Sequence, residues 1–290
     1  MTSNPATPRD AATVILLREG VSGAEVFLQR RVRGMAFAGG MTVFPGGGVD
    51  RRDADSALDW SGAGPDWWAE QFGCTPEVAR ALVCAAVRET FEESGVLLAG
   101  PGPGSVVGST AAYAEARAAL VSRELSLAGF LAQEGLVLRA DLLRPWANWV
   151  TPEGEPRRYD TRFFLAAMPD GQLADAVTTE AVEAYWRTPA AALRDAQRGQ
   201  SALMPPTKVT LTEIAACASV AEALDTERTL AQVLPKLVWR DGEWQAVLPD
   251  DPGYSEAVEH PGAADSADSS DGEDSEVPAA DPEVPADKDD

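Results

Sequence analysis

Arg88-Glu89-Thr90-Phe91-Glu92-Glu93-Ser94-Gly95-Val96 is the stretch on which the fold of this chain turns. At about 100° per residue, Glu89, Glu92 and Glu93 fall within an arc of about 100°, while Val83, Val87 and Phe91 fill the opposite face. One face is core and the other is carboxylate. Thr75-Pro76-Glu77 supplies an N-cap hydroxyl, a proline at the first helical position and an acid in the first turn. Gly95 supplies a C-terminal stop, so a helix is expected from Thr75 to Ser94. Like charges three and four residues apart destabilise a helix by about 0.2–0.5 kcal/mol per pair, and acids near its C-terminus oppose the macrodipole. Something positive should occupy that face. A solvated acidic face is the bland alternative. Against it stand Ala81, Ala85 and Ala86, small enough beside the carboxylates for other backbone to approach, and an upstream Pro45-Gly46-Gly47-Gly48 loop that offers such backbone. Closely spaced oxygen ligands suit Mg²⁺ or Mn²⁺, which keep several waters and bridge to substrate phosphates.

Upstream, Ala12–Arg18 and Ala24–Arg30 are β-branched and apolar runs separated by a turn, which reads as a hairpin. Met41–Phe44 reads as a strand running into the glycine loop. Downstream, helices are expected at 110–120 and 122–134. Strands follow near 147–151, 161–167 and 181–187, then helices around 189–199, 206–218 and 226–233. This interleaving lacks βαβ regularity, so the expected class is α/β, a mixed-sheet sandwich rather than a doubly wound sheet.

The chain has 290 residues, 24 Lys+Arg against 46 Asp+Glu, a net charge of −22 and 45% hydrophobic residues. The single histidine, His260, removes the Ser-His-Asp triad, the Cys-His dyad and histidine-rich metal sites. Carboxylate chemistry is what remains. Residues 250–290 hold fifteen Asp/Glu and one Lys, too acidic and too poor in apolar surface to offset their ordering entropy. The expected organisation is a flexible N-terminus over 1–9, one domain over 10–248 with an insertion at about 51–76, and a disordered acidic tail over 249–290. No basic footprint argues for duplex nucleic acid. Cys74, Cys84 and Cys217 form no CxxC pair, and neither a signal peptide nor a membrane span is expected, so the reading is a cytoplasmic protein with reduced thiols.

Residues 88–96 resemble the second half of the Nudix box, whose usual form is Gly-x5-Glu-x7-Arg-Glu-U-x-Glu-Glu-x-Gly-U with U apolar, and Phe44–Gly48 resembles its opening. The resemblance implies a Nudix-type α/β/α sandwich with a helical insertion. It also implies Mg²⁺- or Mn²⁺-dependent attack of water on a phosphoanhydride in a nucleoside-diphosphate-linked small molecule. By the same resemblance Glu89, Glu92 and Glu93 are the metal-binding carboxylates, Arg88 holds one of them in place, and Gly47 and Gly95 are box glycines. Gly47 to Arg88 exceeds the box spacing by about 27 residues, an insertion. The acid that the box sets eight residues before its arginine falls on Arg80, with Glu77 nearby but out of register, and Thr90 replaces an apolar residue. A split box, together with the segment from Arg30 to Gly47, is similar to the branch related to coenzyme A diphosphatases, whose stricter signature expects arginine where Ala36 stands.

Three further groups are candidates. Trp60, Trp67, Trp68 and Phe72 in the insertion read as a small satellite core, with an adenine- or pantetheine-facing lip as the alternative. Arg157 and Arg158 read either as a surface salt-bridge cluster or, with Gly46 and Gly47, as substrate-binding groups suited to phosphate. Glu180 or Glu183 could supply a catalytic base. The leading function is hydrolysis of coenzyme A or acyl-coenzyme A at its diphosphate. An NADH/ADP-ribose-type pyrophosphatase, a non-catalytic Nudix-fold ligand sensor and an acidic-tail interaction protein are the alternatives.

Overall fold

The computed structural model describes residues 5–35, 37–54, 58, 60–240 and 243–257. Ala36, His260 and the acidic stretch 258–290 lie outside the described residues. The strands are β1 (Arg9–Gly20), β2 (Gly23–Arg31), β3 (Thr42–Val43), β4 (Gly46–Gly48), β5 (Trp60–Ser61), β6 (Ala99–Gly100), β7 (Val137–Arg139), β8 (Leu143–Val150), β9 (Tyr159–Ala167), β10 (Ala181–Arg187), β11 (Gln232–Val233), β12 (Lys236–Arg240) and β13 (Glu243–Val247). The helices are α1 (Pro65–Phe72), α2 (Pro76–Ser94), α3 (Ala114–Val121), α4 (Leu127–Glu134), α5 (Pro189–Gln197), α6 (Pro205–Ala215) and α7 (Val220–Asp225).

The main sheet runs β10-β2-β1-β9-β8-β11, with β3 beside β2 and β4 beside β1. It is mixed: β1 and β9 are parallel, while β1 with β2 and β8 with β9 are antiparallel. The middle of β1 is a continuous buried run, as a strand covered on both faces must be. Its side chains alternate between two cores. Val14 and Leu16, with Phe164 and Ala166 of β9, face Val83, Val87 and Phe91 of α2 and Phe130 of α4. Ile15 and Leu17, with Phe163 and Leu165, face Leu211 and Ile214 of α6 and Val220 of α7. The architecture is therefore an α/β/α sandwich around a mixed sheet.

Helix α2 starts and stops on local chemistry. The Thr75 hydroxyl accepts a hydrogen bond from Val78 N at 3.4 Å, and Gly95 closes the helix at φ 73°. Phe91 is 1% exposed and stacks on Phe130 with ring centroids 5.6 Å apart. Truncating such a side chain costs about 3–5 kcal/mol.

Three expectations change. The aromatic insertion is no satellite core, because Trp68 and Phe72 of α1 pack on Phe164 of β9, with centroids 5.5 and 5.0 Å away. The helix expected at 226–233 forms earlier, as α7, where the Ser219 hydroxyl caps Glu222 N; Gln232–Val233 instead pair with Asn148–Trp149 at the sheet edge. Residues 250–257, expected within the tail, form turns that pack Tyr254 and Ala257 against the β12-β13 hairpin. Among the described residues no helix is long and apolar enough to cross a membrane.

Candidate active site

Strand β4 is the glycine loop itself, and it is held against β1 by pairing of Gly46, Gly47 and Gly48 with Thr13, Ala12 and Ala11. That pairing lays the loop on the carboxylate face of α2. A Cβ on Gly46 would lie 2.5 Å from the Ala12 carbonyl oxygen, and one on Gly47 would lie 2.6 Å from Glu89 Oε1. Glycine is required at both positions, by backbone at the first and by a functional side chain at the second.

Arg88 is the positive group that the carboxylate face demanded. Its Nε and Nη2 donate to Asp53 Oδ1 and Oδ2, each at 2.9 Å, in a bidentate pair. Its Nη1 donates to Glu89 Oε1 at 2.7 Å and to Glu92 Oε1 at 3.3 Å, and its Nη2 also donates to the Gly48 carbonyl at 3.0 Å. Glu93 is held separately, accepting from Gly46 N at 2.9 Å. Thus Asp53, Glu89 and Glu92 are tied through one guanidinium, and Glu93 through the loop backbone.

The electrostatics follow from burial. Burial pushes the Glu93 carboxyl well above its ordinary range, and the Glu89 charge adds to this while the Gly46 N–H opposes it. Burial likewise raises Glu89 to about 7, against the pull of Arg88. Glu92 moves in the same direction for the same first reason. Burial works against the Arg88 charge, but Asp53, Glu89 and Glu92 overcome it and hold the guanidinium firmly protonated. Asp53, Glu89 and Glu92 thus set three carboxylates around one buried guanidinium, with Glu93 beside Glu89 on the loop side. Among the described residues no three acidic, thiol or imidazole side chains are drawn together as a ready metal site. The donors present nevertheless fit a hard divalent cation: they are oxygen-only, nearly dry, and carry more negative charge than Arg88 balances.

These groups open onto a cleft of about 1050 Å³ that also takes lining from Arg9, Arg31, Arg51, Arg123, Tyr159 and Glu180. Gly46, Gly47, Arg88, Glu89, Glu92 and Glu93 all line it. Arg157 and Arg158 do not. Tyr159, Thr161 and Phe163 face the cleft, whereas Arg158 falls on the other parity and spends its guanidinium on the carbonyls of Thr151 and Ala6, at 3.0 and 2.8 Å. Arg157 is exposed outside the cleft. Glu180 sits on the cleft rim, paired with Arg31 at 2.9 Å, while Glu183 pairs with Arg30 at 3.1 Å away from it. None of Trp60, Trp67, Trp68 and Phe72 lines the cleft, which leaves no aromatic lip from the insertion.

Asp53 is the functional residue that sequence reasoning missed. It is 3% exposed and stands six residues after Gly47, which is the box spacing for its first acid when counted forward from the glycine. Counting back from Arg88 lands on Arg80, which is occupied elsewhere: it donates to the Leu58 carbonyl at 2.9 Å and lies over the Trp60 ring. The insertion therefore falls between Asp53 and Arg88.

A glycine loop paired to an inner strand of a mixed sheet and laid on a carboxylate helix, between two helical layers, defines the Nudix class of fold and site. The family model for the NUDT19 Nudix domain matches residues 69–214. The chain belongs to the Nudix hydrolase family, in the branch of coenzyme A diphosphatase-like domains. It is 30% identical over 206 residues to putative nudix hydrolase 7 of Caenorhabditis elegans, covering 71% of this chain and 60% of that protein. It is 27% identical over 238 residues to human acyl-coenzyme A diphosphatase NUDT19, covering 69% of this chain and 63% of that one. The chain thus spans about 60% of the length of these curated relatives. The crystal structure of a Nudix hydrolase from Alicyclobacillus acidocaldarius superposes with a TM-score of 0.63 at 30% identity, covering 77% of this chain and 98% of that one.

Proposed function

We propose that the chain hydrolyses the phosphoanhydride of coenzyme A or an acyl-coenzyme A, yielding 3′,5′-ADP and (acyl-)phosphopantetheine. The observation that carries this reading is the buried carboxylate set that Arg88 and Gly46 N hold at the floor of a large cleft with an arginine-bearing rim. Glu89, Glu92 and Glu93 would hold Mg²⁺ or Mn²⁺, which when bound supplies charge neutralisation at the diphosphate and a more acidic water. The chain's own groups do the rest. Arg88 fixes the angle between Glu89 and Glu92, and the Gly46 N–H fixes Glu93. Arg9, Arg51 and Arg123 bring planar donors to the cleft wall, where they suit phosphate oxygens. Glu180, at the rim and paired with Arg31, would take a proton from an incoming water.

Kinship with the coenzyme A diphosphatase branch supports this substrate class over dinucleotides. The test incubates the protein with Mg²⁺ and, separately, coenzyme A, decanoyl-coenzyme A, NADH and ADP-ribose, with products followed by phosphorus NMR. The expected result is 3′,5′-ADP at a kcat/KM for coenzyme A species above that for either dinucleotide. The reverse order would refute the substrate while sparing the hydrolase, and binding without turnover of any of them would favour the sensor.

A further inference from the structure

The cleft crosses the sheet. Carboxylates and glycine loop sit over β1 and β4, Tyr159 belongs to β9, Trp149 and Val150 to the end of β8, and Pro235, Leu237 and Ala246 to the segment that follows β11. From β1 to β11 is three strand steps, roughly 14 Å at about 4.8 Å per step. The cleft therefore has a charged end and, well removed from it, an apolar one.

The hairpin that forms the apolar end has two faces of different kind. Leu237 and Ala246 are direct register partners, so their side chains share one face, and both line the cleft. Lys236, Val238 and Val247 lie on the other face, where Tyr254 and Ala257 cover the two valines and Lys236 Nζ donates to the carbonyls of both residues, at 2.9 and 3.1 Å. The hairpin is thus backed from behind and presents an apolar front to the cleft. Val233 of β11 pairs with Trp149, which is 4% exposed, so the chain enters the hairpin directly from a strand laddered to the cleft floor. This segment lies beyond the residues matched by the family model.

We propose that the hairpin Lys236–Val247 is a specificity wall, at which Pro235, Leu237 and Ala246, with Trp149 and Val150, receive the hydrocarbon chain of an acyl thioester. The assignment rests on the proposed function for its anchoring at the diphosphate end. A diphosphate held at the carboxylates directs the pantetheine arm along the cleft past Tyr159 and delivers the thioester to the apolar end. Chain length is then read by how many methylenes the wall removes from water, each worth about a fourfold gain, the equivalent of about 0.8 kcal/mol.

The test measures kcat/KM for coenzyme A and for its acetyl, hexanoyl and decanoyl esters. In parallel, it measures binding of phosphopantetheine and decanoyl-phosphopantetheine by calorimetry, which needs no turnover. Wild type should favour the decanoyl over the unacylated form at least tenfold in both measurements. Leu237→Asp should abolish that preference while leaving coenzyme A itself within twofold, and Ala246→Phe should shift the optimum to shorter chains. Circular dichroism checks that both variants fold. If no coenzyme A species is cut yet the decanoyl preference in binding is present and is lost in Leu237→Asp, the wall stands and the proposed function fails. If coenzyme A is cut but neither measurement depends on chain length, or the dependence survives both substitutions, the wall is overturned and the function stands.

Discussion

Arg88 and Asp53, 35 residues apart in sequence, meet through two hydrogen bonds of 2.9 Å, and both side chains are almost wholly buried. The insertion between them leaves the box closed in space although it is open in sequence. Removing one partner of a buried pair strands the other, at about 3–5 kcal/mol. Asp53→Ala is therefore expected to lower the thermal midpoint by about 6–20 °C, at about 2–4 °C per kcal/mol for a domain of this size. It should also reduce kcat/KM at least tenfold, since Arg88 would no longer hold Glu89 and Glu92 at fixed angles. Thermal unfolding followed by circular dichroism, with steady-state kinetics well below the new midpoint, separates the two effects. A midpoint within 2 °C of wild type would show that the pair does not carry the site.

The two loop glycines predict opposite outcomes. Ala at Gly46 would press on the Ala12 carbonyl and the Thr13 backbone, which cannot yield without breaking the β1-β4 pairing. Ala at Gly47 would press on the Glu89 carboxylate, a side chain that can swing away, but only by leaving Arg88. Gly46→Ala is expected to cost stability, about 1–3 kcal/mol. Gly47→Ala should leave the midpoint within about 2 °C while lowering kcat at least tenfold. Parallel melts and kinetics decide it, and equal loss of stability in both variants would contradict the assignment.

What the sequence made legible was local. The cap at Thr75, the stop at Gly95 and the spacing of Glu89, Glu92 and Glu93 are properties of one helix, and each is found where its chemistry places it. Asp53 was hidden because its partner lies across an insertion, and an interrupted spacing can be counted from either end. Arg158 was misplaced because strand parity depends on a register that only the pairing of β9 with β1 sets: one residue's shift moves a guanidinium from the cleft to the far side. Val238 and Val247 were invisible as core because their partners, Tyr254 and Ala257, sit in a stretch whose composition reads as tail.

Burial of Glu93 predicts a pH-dependent gap between wild type and Glu93→Gln in metal-free protein. Below the ordinary carboxyl pKa of 4.5 the residue is protonated whether the chain is folded or unfolded, so the substitution changes little. Above 4.5 the unfolded chain loses that proton while the folded protein, whose carboxyl is held well above this value, keeps it. The folded state then binds more protons, so wild-type stability falls with rising pH. Glutamine carries no such penalty and still offers an oxygen to Gly46 N. The midpoint of Glu93→Gln minus that of wild type is expected to be near zero at pH 4 and to reach at least about 3 °C by pH 8, while turnover with Mg²⁺ falls at least a hundredfold. A gap independent of pH would mean that Glu93 is not held protonated by its surroundings.

The last described residues, 250–257, form the hairpin's backing. Tyr254 donates its hydroxyl proton to the Leu234 carbonyl at 2.7 Å, Asp251 accepts from Leu248 N at 2.8 Å, and Ala257 is buried against Val238 and Val247. An isolated two-stranded hairpin is marginal in water, so these contacts stabilise the cleft wall. Two truncations test this. Ending the chain at Ala257 removes only acidic, core-poor sequence and should leave the thermal midpoint within about 1 °C. Ending it at Leu248 removes Tyr254 and Ala257, exposes both valines and frees Lys236, at about 1.5–3 kcal/mol for the lost apolar burial. That truncation should lower the midpoint by about 3–12 °C, at about 2–4 °C per kcal/mol. Limited proteolysis should then cut first between residues 230 and 248, ahead of any cut in α2 or β9. Equal midpoints for the two truncations would show that the hairpin holds its place without its backing.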